Sequence, residues 1–133
     1  MTYKVGIAGY GVVGKRRHAA LEEIHDFKIT SVSDITFNDE NKPVHLNYYH
    51  DYRDLIKNED LDILFVSLPN NHAANATLLG LEKNLHVFCE KPPARTLSEL
   101  IPIKQHLAKT DLKLMYGFNH RFHSSVMHAK KII

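Results

Sequence analysis

The sequence predicts an α/β fold: a doubly wound parallel sheet with helices on both faces. Three observations carry this expectation. Short β-rich runs alternate with helical stretches along the whole chain. The first run, Tyr3 to Ala8, feeds directly into the glycine-rich turn Gly9-Tyr10-Gly11-Val12-Val13-Gly14. The Ile-Leu-Phe-Val run that opens Ile63 to Ser67 is apolar throughout, as a strand covered on both faces requires.

Taken in order, Tyr3 to Ala8 is the first strand and Val12 to Ile24 a helix, with Val13, Ala20, Leu21 and Ile24 available for packing. Phe27 to Ser33 is the second strand. Thr36 to Asn47 is polar, contains Pro43, and is expected to be loop with a short extended piece at most. Tyr52 to Lys57 reads as a short helix with Asp51 as N-cap, because its carboxylate can accept an orphan backbone N–H. Ile63 to Ser67 is a strand, Ala73 to Lys83 a helix, and His86 to Cys89 the next strand. Thr96-Leu97-Ser98-Glu99 has the capping-box pattern, so a helix is expected from there to about Lys109. Pro102 inside that span either kinks the helix or moves its start. Leu112 to Tyr116 is a fifth strand, and Ser124 to Ile133 a last helix. Crossovers of this kind are right-handed and generate a parallel sheet.

The 133 residues fit one domain, and the 44% apolar content is that of an ordinary globular protein. Acids and bases are interspersed around a net charge of +2, which argues against a nucleic-acid surface. The densest early basic cluster, Lys15-Arg16-Arg17, is either a solvated helix face or a help with phosphate charge. The single cysteine, Cys89, excludes an internal disulfide and reads as a small core residue of a strand. The start of the chain has no signal-peptide pattern, and no apolar run approaches the ~20 residues of a membrane span. The expectation is a cytoplasmic protein with no membrane partner. Ten histidines raise the question of a metal. His120, His123 and His128 lack accompanying cysteines or carboxylates at zinc-like spacing, so no metal is expected.

The glycine turn has a physical logic. Gly9 permits the tight strand-to-helix turn, Gly11 lets the backbone approach a pyrophosphate, and Gly14 allows close packing of helix on strand. The helix N-terminus at Val12 and Val13 then offers N–H groups to phosphate oxygens. Asp34 ends the second strand, 25 residues after Gly9. A carboxylate there accepts from ribose hydroxyls and repels a 2′-phosphate, so NAD is favoured over NADP. The other reading of Asp34 is a turn aspartate.

Further candidates follow the later strands. Leu68, Pro69, Asn70 and His72 lie after the third apolar run, where the backbone should cross a cofactor. The plain alternative is a loop feeding a helix. Glu90-Lys91-Pro92-Pro93 follows the next strand. The prolines restrict the loop, and Lys91 is the catalytic candidate, able to orient a substrate hydroxyl or join proton transfer. A surface salt bridge between Lys91 and Glu90 is the competing account. Asn119, His120 and Arg121 follow the fifth strand at the same sheet edge. They are substrate candidates, although Arg121 could equally anchor a helix terminus.

Together these segments resemble the N-terminal half of the glucose-fructose oxidoreductase/inositol dehydrogenase/MocA-like family. The resemblance rests on Val5–Gly14, Leu68–Ala73, Glu90–Ala94 and Gly117–Phe122, in that order. It implies a Rossmann fold binding NAD or NADP, with Lys91 and Glu90 near the nicotinamide. It also implies hydride transfer at a ring hydroxyl or ketone of a sugar, inositol or nucleotide-sugar. The wording Asn119-His120-Arg121-Phe122-His123 is similar to members acting on sugars of surface polysaccharides. The family's C-terminal substrate domain has no counterpart in the 133 residues. Residues 1–122 are therefore expected to be the nucleotide-binding domain, and 123–133 the start of a helix leading toward that second domain. The expected macromolecular partner is a second copy of the chain, as a homo-oligomer, or a separate chain that supplies that domain, and the chain alone should bind cofactor better than it catalyses. The rival expectation is a non-catalytic module that binds NAD(H) or docks a partner.

Overall fold

The central strand β1 (Tyr3–Ala8) is flanked by β2 (Phe27–Ser33) on one side and β4 (Ile63–Val66) on the other. In this computed structural model, which describes residues 2–133, all pairings are parallel and the order is β3-β2-β1-β4-β5-β6. β3 is Asn47–Tyr49, β5 is His86–Cys89 and β6 is Leu114–Tyr116. The sheet grows outward from β1 to β3, then returns to the other side of β1 with β4. That reversal opens a crevice at the carboxyl ends of β1 and β4, where ligands of such sheets lie.

The register decides what lines the crevice. Ala8 pairs with Ser33 and Val66, Val66 with Cys89, and Cys89 with Tyr116. The strand ends are level, so Gly9, Asp34, Ser67, Glu90 and Gly117 emerge along one edge.

The strands feed two layers because side chains alternate across a sheet. Val5 and Ile7 pack with Val32, Phe37 and Leu21 of helix α1 (Val12–Glu22). Ala8, Leu64, Val66, Val87 and Cys89 pack on the opposite face with helices α2 (Tyr52–Asn58), α3 (Asn70–Glu82) and α4 (Ile101–Leu107). Cys89 is fully buried, and burial pushes its thiol pKa up, as suits a core residue.

Four local expectations need correction. The loop over 36–46 is as expected, but the sheet has six strands rather than five, because Asn47–Tyr49 form β3, which pairs with β2, and Tyr49 Oη donates to Glu59 Oε1 at 2.6 Å at the end of α2. α1 stops at Glu22 rather than Ile24. α3 begins at Asn70, so Asn70, Asn71 and His72 form its first turn rather than a loop. The capping box does not form: Thr96 makes no side-chain cap bond, its Oγ1 pairing with Ser98 Oγ at 2.8 Å, while Glu99 accepts from Arg95, whose backbone N and Nε both donate to it at 2.9 Å. A 3-10 turn over Leu97–Leu100 precedes α4, and Pro102 sits in the first turn of α4, where its missing N–H costs little. As expected, Asp51 caps α2, accepting from Arg53 N at 2.8 Å. The last helix, α5 (Ser124–Ile132), has no buried residue. No helix among the described residues is long and apolar enough to cross a membrane.

Candidate functional site

The glycines of the first turn divide their work. Gly9 has φ +90°, a left-handed conformation that side chains rarely adopt, and a Cβ there would lie 2.5 Å from the Ser67 carbonyl oxygen. A Cβ on Gly14 would lie 2.0 Å from the Gly9 carbonyl oxygen. Gly11 differs: a Cβ there would meet only Asp34 Oδ2, at 4.0 Å. Packing therefore requires glycine at 9 and 14. At 11 the protein leaves open space beside the N-terminus of α1.

That N-terminus is prepared for an anion. Gly11 is the N-cap, no side chain caps the helix, and its first turn carries no acid. The N–H groups of Val12, Val13 and Gly14 belong to the turn whose donors lack intrahelical partners. Helix partial charge and free donors together favour phosphate.

Asp34 is fixed by its own loop. Its Oδ1 accepts from Thr36 N at 2.9 Å and from Thr36 Oγ1 at 2.7 Å. Oδ2 is left on the side of the glycine turn. Oδ1 thus makes the bonds of a turn aspartate, and Oδ2 accepts none among the described residues.

A cleft of about 720 Å³ runs past these groups. Gly9, Gly11, Ser33 and Asp34 form one wall, and Leu68, Pro69, Asn71 and His72 another. His50, Asp51, Tyr52 and Arg53 close the third side. The sequence reading missed this third wall because it depends on β3 bringing the start of α2 to the sheet edge. Asn71 lines the cleft and Asn70 does not. The hydroxyls of Ser33 and Ser67 are buried with no hydrogen-bond partner in the described structure, and both residues line the cleft. Orphaned hydroxyls, an open glycine and an uncapped helix N-terminus fit a polar, anionic dinucleotide.

A second cleft, of about 360 Å³, continues from the first. Ser67 and Leu68 line both. Val13, Arg16, Arg17, Glu90, Lys91 and Asn119 complete it. Lys91 is exposed and makes no hydrogen bond or ion pair among the described residues. Glu90 pairs not with Lys91 but with Arg17, whose Nε donates to Oε1 at 2.6 Å. Of the basic cluster on α1, Arg17 is therefore not a solvated surface charge.

The segment after β6 splits its candidates. Asn119 lies in the Lys91 cleft. Arg121 lines a separate groove with Phe118 and Phe122. His120 stacks on His123, with ring centroids 4.9 Å apart, and lines neither the Lys91 cleft nor that groove. The 3-10 turn over Asn119–Phe122 turns these neighbours in different directions.

The strand order, the level strand ends and the glycine turn define a dinucleotide-binding Rossmann domain. The family model described as an oxidoreductase family with an NAD-binding Rossmann fold matches residues 3–118, and the chain belongs to that glucose-fructose oxidoreductase/inositol dehydrogenase/MocA family. It is 32% identical to an uncharacterized oxidoreductase of Bacillus subtilis, over 96% of this chain and 38% of that protein. It is 27% identical to an inositol 2-dehydrogenase of Salmonella paratyphi B, over 100% of this chain and 42% of the relative. Among solved structures, scyllo-inositol dehydrogenase of Lactobacillus casei with bound NAD(H) and scyllo-inositol superposes with a TM-score of 0.86. That match has 26% identity and covers 99% of this chain and 41% of that one. The chain thus spans about two-fifths of the length of the relatives it matches. It is an NAD-binding oxidoreductase domain of the inositol and sugar dehydrogenase family.

Proposed function

We propose that this domain is the nucleotide-binding half of an NAD-dependent dehydrogenase acting on a ring hydroxyl or ketone of a polyol or sugar. The sugars of polysaccharide assembly fall within that class. The observation that carries the reading is the continuity of the two clefts at Ser67 and Leu68. A dinucleotide whose phosphates meet the N-terminus of α1 has its ribose near Asp34 at one end and its reactive end near Lys91 at the other.

Bound there, the nicotinamide ring supplies the hydride acceptor or donor. In the oxidation direction the substrate C–H bond would break as hydride passes to the oxidised ring, and the hydroxyl proton would pass to the Lys91 amine. Lys91 bonds the substrate oxygen and takes part in that proton transfer. Asn119, in the same cleft, offers a donor and an acceptor to a neighbouring hydroxyl. Glu90 braces the loop that carries Lys91. Asp34 receives ribose hydroxyls and disfavours a 2′-phosphate.

The test is calorimetric titration of the chain with NAD, NADH, NADP and NADPH. The expected result is binding of NAD and NADH, with the phosphorylated pair weaker. Absence of binding by all four, or preference for the phosphorylated pair, overturns the reading. Tight NADH binding without turnover of any polyol or sugar by the full-length protein would favour a sensing or docking module instead.

A further inference from the structure

Arg17 joins three parts of the molecule that are remote in sequence. It sits on α1, one turn past the glycine motif. Its Nε donates to Glu90 Oε1 at 2.6 Å, its Nη2 bonds the same oxygen, and Nη2 also donates to Asn119 Oδ1 at 3.2 Å. The guanidinium lies over the ring of Phe88, 5.1 Å from its centroid, and Phe88 stacks on Phe65 at 4.9 Å. Packing on Phe88 and two bonds to one carboxylate oxygen make this a positioned group rather than a loose surface pair. A Cβ on Gly117 would come within 2.8 Å of Glu90 Oε2, so glycine there leaves room for the carboxylate in this orientation.

The consequence concerns the next residue along the chain. Glu90 and Lys91 line the same cleft, and the charged groups that share it are Arg16, Arg17, Glu90 and Lys91. A carboxylate free to turn toward Lys91 would pair with its amine, hold it as ammonium and take its donors away from a substrate. Oε1 of that carboxylate already accepts two bonds from an always-charged partner.

We propose that Arg17 is a positioning residue that holds the Glu90 carboxylate off Lys91, leaving the Lys91 amine unpaired in the cleft and bracing Asn119 beside it. Its use in catalysis rests on the dehydrogenase reading above, but the arrangement itself is testable without cofactor or substrate. Failure of this idea is therefore distinguishable from failure of that one.

The experiment is limited acetylation of the apo chain with acetic anhydride, with the rate at Lys91 read by mass spectrometry against exposed Lys28 as internal reference. R17Q frees Glu90 to pair with Lys91 and is expected to slow Lys91 labelling about three- to tenfold. R17Q/E90Q is expected to return Lys91 close to the wild-type rate. E90Q alone, which leaves Arg17 in place, is expected to change the Lys91 rate less than about twofold, because Glu90 is already drawn away. A purely structural Arg17 would leave Lys91 labelling unchanged or faster in R17Q, and that result overturns the proposal. Equal slowing in R17Q and R17Q/E90Q also overturns it, because loss of the Arg17 charge alone would then be the cause. Severalfold acceleration in E90Q overturns it independently of how well the Arg17 variants fold.

Discussion

Gly14 sits against the carbonyl of Gly9, so close that a Cβ on Gly14 would stand 2.0 Å from that oxygen. The contact locks the first turn of α1 onto the end of β1. Backbone meets backbone there, with no flexible side chain to give way. Gly14→Ala is expected to destabilise the fold by about 3 kcal/mol or more. Urea unfolding followed by circular dichroism checks it. A midpoint shift worth less than about 1 kcal/mol would show that the turn can relax.

Gly11 gives the opposite pairing of effects. Its φ of −74° suits any residue, and nothing but Asp34 Oδ2 approaches within 4.0 Å. Gly11→Ala should change stability by less than about 1 kcal/mol. It should nonetheless weaken NAD binding at least tenfold, because the methyl occupies the space beside the phosphate donors. Stability and affinity measured on one preparation separate the two glycines.

Asp34→Ala is expected to weaken NAD binding by about 1–3 kcal/mol, as for a lost hydrogen-bonded charge. The penalty against NADP should shrink at the same time. Calorimetry with both cofactors reads the difference, and unchanged NAD affinity would remove Asp34 from the site.

Two tyrosines make the fold sensitive to alkali. The hydrogen bond to Glu59, then burial, push the Tyr49 pKa up to about 12, and burial pushes that of Tyr116 up to about 12. A raised pKa means that the folded state keeps the proton longer than the unfolded chain does. Their stabilisation is full below pH 10, and is lost as pH rises through about 12. Unfolding midpoints should fall across that window. Tyr49→Phe should flatten the fall while costing about 1 kcal/mol at neutral pH. A slope unchanged by the substitution would assign the alkaline loss elsewhere.

Much of the fold was legible in order. β1, β2 and β5 lie where their apolar runs place them, and Asp51 caps α2 through a purely local bond. β3 was not legible. Its three residues, Asn47, Tyr48 and Tyr49, are neither apolar nor clearly alternating, and they are a strand because β2 offers an unpaired edge and Glu59 binds Tyr49. The capping pattern at Thr96 failed because Thr96 Oγ1 pairs with Ser98 Oγ and Arg95 brings three donors to Glu99. The third wall of the dinucleotide cleft was missed together with β3.

By itself the sequence determined the alternation of elements, the glycine turn and the family. These rest on interactions within a few residues: strand periodicity, the left-handed Gly9, and a helix N-terminus free of acids. Only the tertiary structure decided which side chains meet at the reactive end. Glu90 is adjacent to Lys91 in sequence but bonds Arg17, 73 residues away. Asn119 joins the Lys91 cleft while Arg121, two positions on, faces another groove. The physical reason is that a parallel sheet brings the ends of distant strands level, and the partners of a charged side chain are set by that register rather than by its neighbours along the chain.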